Sequence, residues 1–186
     1  MRLNDKLITS FVYEDQEYDI DLTFDNVLDV LDVFEDNELR DNEKAEIGLA
    51  LLLDDQDYQP SMELWNHIYQ SFIHVGHKQP IEYDRKGNPM PVRKEKQTTD
   101  LDKDAEHIYA SFLQAYNINL FKEQGKLHWH EFQSLLHGLP AVTIMQRIVQ
   151  IRLWEPSKGD SAEHKKVMQD LQKVYQLNDE DVEEVE

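Results

Sequence analysis

Apolar and polar positions recur along the chain with two different periods. Near the start, Leu7 to Tyr13 is rich in β-branched and aromatic residues, Glu14-Asp15-Gln16 supplies a turn, and Tyr18, Ile20 and Leu22 alternate with Asp19 and Asp21. Period two predicts a β-hairpin over 6–22 with one apolar face. A lone hairpin is marginal in water, so helices must cover it. From Thr23 the period lengthens to that of a helix. Thr23 or Asp25 is the cap, Val27, Leu28, Val30, Leu31 and Phe34 form the buried stripe, and Asp29, Asp32, Glu35 and Asp36 face water. Asp41-Asn42 caps a further helix carrying Ala45, Ile47, Leu49, Leu51 and Leu52. Ser61 caps another with Leu64, Trp65, Ile68, Phe72 and Val75, ended by Gly76.

The densest apolar and aromatic stretch is Asp104 to Pro140. Ile108, Phe112, Ala115 and Tyr116 follow helical spacing, with Phe112 and Tyr116 an i, i+4 pair, and Asn117 suits the left-handed residue beyond a helix end. Gly125 marks a turn. A second helix presents Trp129, Phe132, Leu135, Leu136 and Leu139 and stops at Gly138 and Pro140. The expectation is a helical hairpin whose faces bury each other. Thr143 then caps a helix with Ile144, Met145, Ile148, Val149, Ile151, Leu153 and Trp154, apolar on more than one side and therefore central. Its Arg147 and Arg152 must find carboxylates or reach solvent. Ser161 caps a last amphipathic helix with Val167, Leu171, Val174 and Tyr175, which also carries Lys165, Lys166 and Lys173. The expected fold is mainly α: a single-domain bundle of six to seven helices over 1–177 with a small N-terminal hairpin. A basic surface loop is expected over 77–103, where Pro80, Gly87, Pro89 and Pro91 break any helix, and a disordered acidic tail over 178–186.

Composition narrows the function. A chain of 186 residues can bury roughly 70% of its unfolded surface without staples. With no cysteine it has no disulfide, cysteine zinc site or thiol nucleophile. The N-terminal stretch carries charges throughout and does not read as a signal peptide, and no run approaches the roughly 18 apolar residues of a membrane helix. The net charge of −19 disfavours nucleic-acid backbones and anionic membranes as partners; a solvated acidic surface accounts for it. Lys78, Arg85, Lys86, Arg93, Lys94 and Lys96 interrupt the acidity. They suit attraction to the acidic helices of 25–57, or contact with an acidic neighbour such as a second copy.

Candidate chemistry is sparse. Asp54, Asp55 and Asp57 resemble a calcium loop, but Gln59 and Trp65 stand where its Gly and Glu belong. Eight histidines are present without HExxH spacing; the nearest string is His128-Trp129-His130-Glu131. There is no GxSxG, P-loop or GxGxxG. Trp65, Trp129 and Trp154 fit core faces. No catalytic, cofactor or metal residues are assigned.

The wording AEHIYASFLQAYNINL, a spacer, then LHWHEFQSLLHGL resembles the signature of the phage gene-product-fifteen family, tail-region proteins of siphophages and prophages of Gram-positive bacteria. The likeness extends from Tyr18-Asp19-Ile20 and Thr23-Phe24 through Ile148–Leu153 to Leu171–Leu177. One departure is His130, where the family commonly has a second tryptophan beside Trp129. The resemblance makes Ile108, Phe112, Tyr116, Trp129, Phe132 and Leu136 the core signature. It implies a non-enzymatic tail-assembly chaperone in the host bacterial cytoplasm, binding the tape-measure protein and helping to recruit tail-tube protein, with self-association as a further expectation. Lys165, Lys166, Leu171 and Tyr175 of the last helix are the expected partner contacts. Two alternatives remain: an acidic DNA mimic inhibiting a host DNA-binding protein, which the basic stretch between the acidic ones disfavours, and a metal-dependent hydrolase using the histidines.

Overall fold

The N-terminal alternation closes as an antiparallel pair, β1 (Ser10–Tyr13) and β2 (Gln16–Asp19), with Phe11 opposite Tyr18 and Tyr13 opposite Gln16. Glu14 and Asp15 form the two-residue turn with φ of 49° and 64°, the backbone such a turn requires if the strands are to keep their twist. The structure is a computed structural model that describes residues 4–54, 56–74 and 97–177. Among the described residues seven α-helices come after the hairpin: α1 (Phe24–Glu35), α2 (Asp41–Leu53), α3 (Met62–Ile68), α4 (Ala105–Tyr116), α5 (Trp129–His137), α6 (Ile144–Arg152) and α7 (Ala162–Val174). The fold is therefore mainly α with a small N-terminal hairpin. The chain forms two compact units, one from residues 1–78 and 121–135, the other from 79–120 and 136–186.

In the first unit the alternating Tyr18, Ile20 and Leu22 are all buried, as are Val27 and Val30 of α1. The hairpin is tied to the helices through polar groups: Gln56 accepts from the Asp19 N–H and donates to its carbonyl, both at 2.8 Å. The 21–24 segment hydrogen-bonds on both sides. Asp21 N–H donates to the Leu52 carbonyl, Phe24 N–H to Leu127, and Trp129 N–H to Leu22. Helix α2 departs from the expected stripe, because Ile47 and Leu51 are exposed while Gly48 is buried. A Cβ at Gly48 would stand 3.0 Å from the Phe34 ring and 3.1 Å from Trp65, and those two rings stack at 4.0 Å. The missing side chain lets α2 approach the stack. Ser61 caps α3 as expected, accepting from Leu64 N–H. After α3 the helix widens into a π-helical turn over Tyr69–Ile73. That widening advances the buried position by one, to Ile73, leaving Phe72 half-buried. Val75 and Gly76, most of the basic stretch and the acidic tail lie outside the described residues.

In the second unit α6 packs on both α4 and α7, which fits the central place expected of it, although Leu153 is exposed. Met145 and Ile148 are buried, and Met145 N–H donates to Ser111 Oγ of α4. Asn117 ends α4 with φ of 56°. Of the two arginines of α6, Arg147 is exposed and Arg152 is buried. Arg152 forms a bidentate pair with Asp104, Nη1 to Oδ2 at 2.6 Å and Nη2 to Oδ1 at 2.8 Å. Its Nε donates to the Tyr175 carbonyl and Nη1 also to Thr98. Asp104 accepts a further bond from Asp100 N–H. Burial raises the Asp104 pKa, but the hydrogen bonds from Arg152 and Asp100 and the charge of Arg152 outweigh it, so the group is held below 3.8.

Breaking such a pair leaves an uncompensated buried charge. Arg152→Met is expected to cost about 3–5 kcal/mol by guanidinium unfolding, and the double change Arg152→Met with Asp104→Leu clearly less. Because the folded pKa of Asp104 is depressed, its stabilisation is full above 3.8 and is lost as pH falls through the folded value. An acid titration of the double variant should lack that loss.

Candidate functional site

The core signature divides between the two units. Ile108 and Phe112 are buried and Tyr116 half-buried on α4, with Phe112 and Tyr116 edge to face at 5.8 Å. On α5, Trp129 and Phe132 are buried and Leu136 half-buried. The two expected hairpin faces each have partners inside their own unit. Ser111 of α4 meets α6. Phe132 stacks on Phe24 of α1 at 5.1 Å, and the Trp129 indole N–H donates to the Ile73 carbonyl at 3.0 Å. Ile108, Phe112, Trp129 and Phe132 are interior residues of their units, while Tyr116 and Leu136 keep part of their surface in solvent.

The His128-Trp129-His130-Glu131 string is a helix start. His128 N–H donates to Glu131 Oε2, and His130 N–H donates to His128 Nδ1. This is the reciprocal arrangement of a capping box, with imidazole in place of the usual hydroxyl. Since Nδ1 accepts, Nε2 carries the proton, and it faces the Ile8 carbonyl at 3.2 Å. Sequence reasoning tested this string only against metal spacing; the Glu three residues after the helix boundary was the signal for a cap. Among the described residues no three His, Asp or Glu side chains are grouped to hold a metal. Nor is any helix among them long and apolar enough to cross a membrane.

Helix α7 presents the expected contact residues on two sides. Ser161 caps it, accepting from His164 N–H. Lys165, Leu171 and Tyr175 are half-buried on the side that meets α6, where Gln172 Nε2 donates to the Ile151 and Trp154 carbonyls. Lys166 is exposed. Val167 and Val174, expected in the apolar stripe, are 50% and 72% exposed. The helix is held by polar groups at its carboxyl end, which frees two valines for the outer side.

A feature that sequence reasoning missed lies in the first unit. An open cleft of about 610 Å³ is lined by Tyr13, Glu14 and Tyr18 of the hairpin and by Asp57, Tyr58 and Glu63 before and in α3. Among the described residues no Lys or Arg lines it. The Tyr13 phenol is pushed above its ordinary pKa by burial, then by the charges of Glu14 and Glu63. That of Tyr58 is pushed up by burial and by Glu46. Pairing of segments some 40 residues apart makes the cleft, which is why no local motif announces it.

His130 supplies a pH test. Burial and the neighbouring His128 lower its pKa below 6.5. The unfolded chain therefore takes up the proton first, so the stability tied to neutral His130 is full above 6.5 and declines as pH falls below it. Urea midpoints compared between about pH 7.5 and about pH 5 should drop less in His130→Phe than in the unaltered chain.

No curated protein and no solved structure matches the chain significantly. A family model described as "Bacteriophage Gp15 protein" matches residues 3–177. With nearly its whole length so matched, the chain belongs to the bacteriophage Gp15 family and is a phage structural or assembly protein.

Proposed function

We propose that the protein is a non-enzymatic tail-assembly chaperone, which binds the tape-measure protein in the host cytoplasm and helps recruit tail-tube subunits. Membership of the bacteriophage Gp15 family over residues 3–177 is the observation that carries this reading. Two physical features support it. A net charge of −19 on a folded helical protein keeps a coat of such molecules apart in solution and suppresses association of the chain it covers. The outer side of α7, with Lys166, Val167 and Val174 exposed, offers mixed apolar and cationic groups to an amphipathic helix of the partner.

Co-expression with the tape-measure protein of the same phage, affinity capture and sizing of the eluate test this reading. A soluble stoichiometric complex is expected, from a tape measure that is insoluble alone; an equally insoluble tape measure and no capture would sink the reading. Truncation of α7 is a poor probe of the contact, because the Tyr175 carbonyl is a partner of buried Arg152 and the Leu177 carbonyl accepts from Lys103. Val167→Glu with Val174→Glu alters only the outer side. That variant should lose about tenfold in affinity, roughly 1.4 kcal/mol, with unchanged helix signal. Undiminished capture would move the contact elsewhere.

A further inference from the structure

The hairpin is closed along one edge and open along the other. In an antiparallel pair, residues alternate between those whose backbone groups point at the other strand and those whose groups point outward. The Ile20 N–H donates to the Thr9 carbonyl. In the observed register Thr9, Phe11 and Tyr13 therefore face the other strand, and Ile8, Ser10 and Val12 face outward. On the β2 side Gln56 bonds both backbone groups of Asp19, and the Asp21 N–H donates to the Leu52 carbonyl. On the β1 side His128 Nε2 faces the Ile8 carbonyl. No described strand pairs with β1 beyond that point, so the N–H and C=O groups of Ser10 and Val12 form a short edge, and Val12 is 64% exposed.

Sheet edges are blunted in most proteins by charge, proline or a bulge. This one has none of them. Leu7 to Tyr13 contains no charged residue and no proline, and the pairing runs without a bulge from Ser10 to Tyr13. The charges at the two ends of the stretch are opposite in sign. Lys6 precedes it and Glu14-Asp15 follow it in the turn, all three exposed. From Leu7 to Leu39 there is no further Lys or Arg, and the ion pairs among the described residues do not include Lys6.

We propose that β1 pairs antiparallel with β1 of a second copy of this chain, about a two-fold axis at Phe11. Ser10 then stands opposite Val12 of the second copy and exchanges both backbone bonds with it, so every outward group of these two residues is paired in both copies. The same register sets Ile8 opposite Glu14, which brings Lys6 of each copy alongside the acidic turn of the other. Charge complementarity makes a second copy the occupant: the edge is uncharged at its centre, cationic at one end and anionic at the other, and so is complementary to itself when reversed. The pairing uses up the β1 edge of both copies, so association stops at two. So short a contact makes a dimer that dissociates on dilution. The inference rests on the hairpin alone and stands apart from the tail-assembly reading.

Sedimentation velocity of the full chain, at about 0.15 M salt where distant charges are screened, should show the mass rising from one copy to two as concentration increases. Val12→Pro deletes an outward N–H and leaves the ladder to β2 intact; Val12→Lys charges the edge without altering the backbone. Each should raise the dissociation constant about tenfold, whereas Val142→Lys, the same change at an exposed valine of the second unit, should shift it by less than about twofold. Lys6→Glu and Glu14→Lys should each weaken the dimer about threefold, and the two together should restore it. The chain has no cysteine, so Val12→Cys supplies a single thiol. The register places the two copies of position 12 about 8 Å apart, so a short bismaleimide should join copies of Val12→Cys and not of Val142→Cys. Amide exchange at Ser10 and Val12 should slow as concentration rises. A single-copy mass at every concentration would overturn the proposal. So would a dimer weakened equally, or not at all, by Val12→Lys and Val142→Lys, because the contact would then lie elsewhere. Protection of Ser10 and Val12 that is the same at every concentration would overturn it too, since another segment of the same chain would then cover the edge. Val12 is exposed, so the circular dichroism spectrum of Val12→Lys should be unchanged, and that variant decides the matter even where Val12→Pro loses the hairpin.

Discussion

A buried arginine has five N–H groups to satisfy, and in the second unit Arg152 makes four bonds from one position. Its guanidinium reaches Asp104 twice, the Thr98 carbonyl and the Tyr175 carbonyl. Through it, the entry to α4, the end of α6 and the end of α7 share one centre. Each of these backbone segments would otherwise be a helix terminus or a connection with weak local preferences. The charge at the centre is costly to bury, and the geometry offsets that cost only when every partner is in place. The helices of this unit can therefore bury little of their surface and still be fixed in register: α7 has no buried residue at all.

The sequence pattern located most of the elements because helix and strand periods are local properties. The alternation at 18–22, the caps at Ser61 and Ser161, the left-handed Asn117 and the turn at Gly125 all stand where the pattern put them. Departures arose where a distant partner decides. Gly48 is buried because Phe34 and Trp65 stack above it, information that no 13-residue window holds. Val167 and Val174 lie outward because Gln172 and Tyr175, both polar contributors, take the attached side. Arg152 gave a visible demand for a carboxylate, but the chain offers 38 Asp and Glu residues, and only folding selects Asp104.

The same limit applies to the candidate site. Family likeness singled out Ile108, Phe112, Trp129 and Phe132, which are interior residues, since interiors leave the strongest periodic trace. Surfaces leave little trace. The tyrosine cleft draws on residues of ordinary types from two separate stretches. Its only sequence sign was negative, the long intervals without Lys or Arg. Residues 1–74 hold 19 of the 38 acidic residues and four of the 19 basic ones. That imbalance is tolerable because the carboxylates lie in high-dielectric surroundings, where repulsion between them is weak.

The π-helical turn over Tyr69–Ile73 also bears on how the chain tolerates insertion and deletion. A π turn holds one residue more than the α-helix around it. Removing one residue between Tyr69 and Ile73 would restore an unbroken helix and leave every downstream residue in the chain unchanged. Because the widened turn already brings Ile73 to the buried face that an unbroken helix would give to position 72, the deletion would leave Ile73 on that face, with its carbonyl toward the Trp129 indole that donates to it. A single-residue gap in this helix is thus compatible both with the backbone of α3 and with the tryptophan at position 129, more than fifty positions further along the chain.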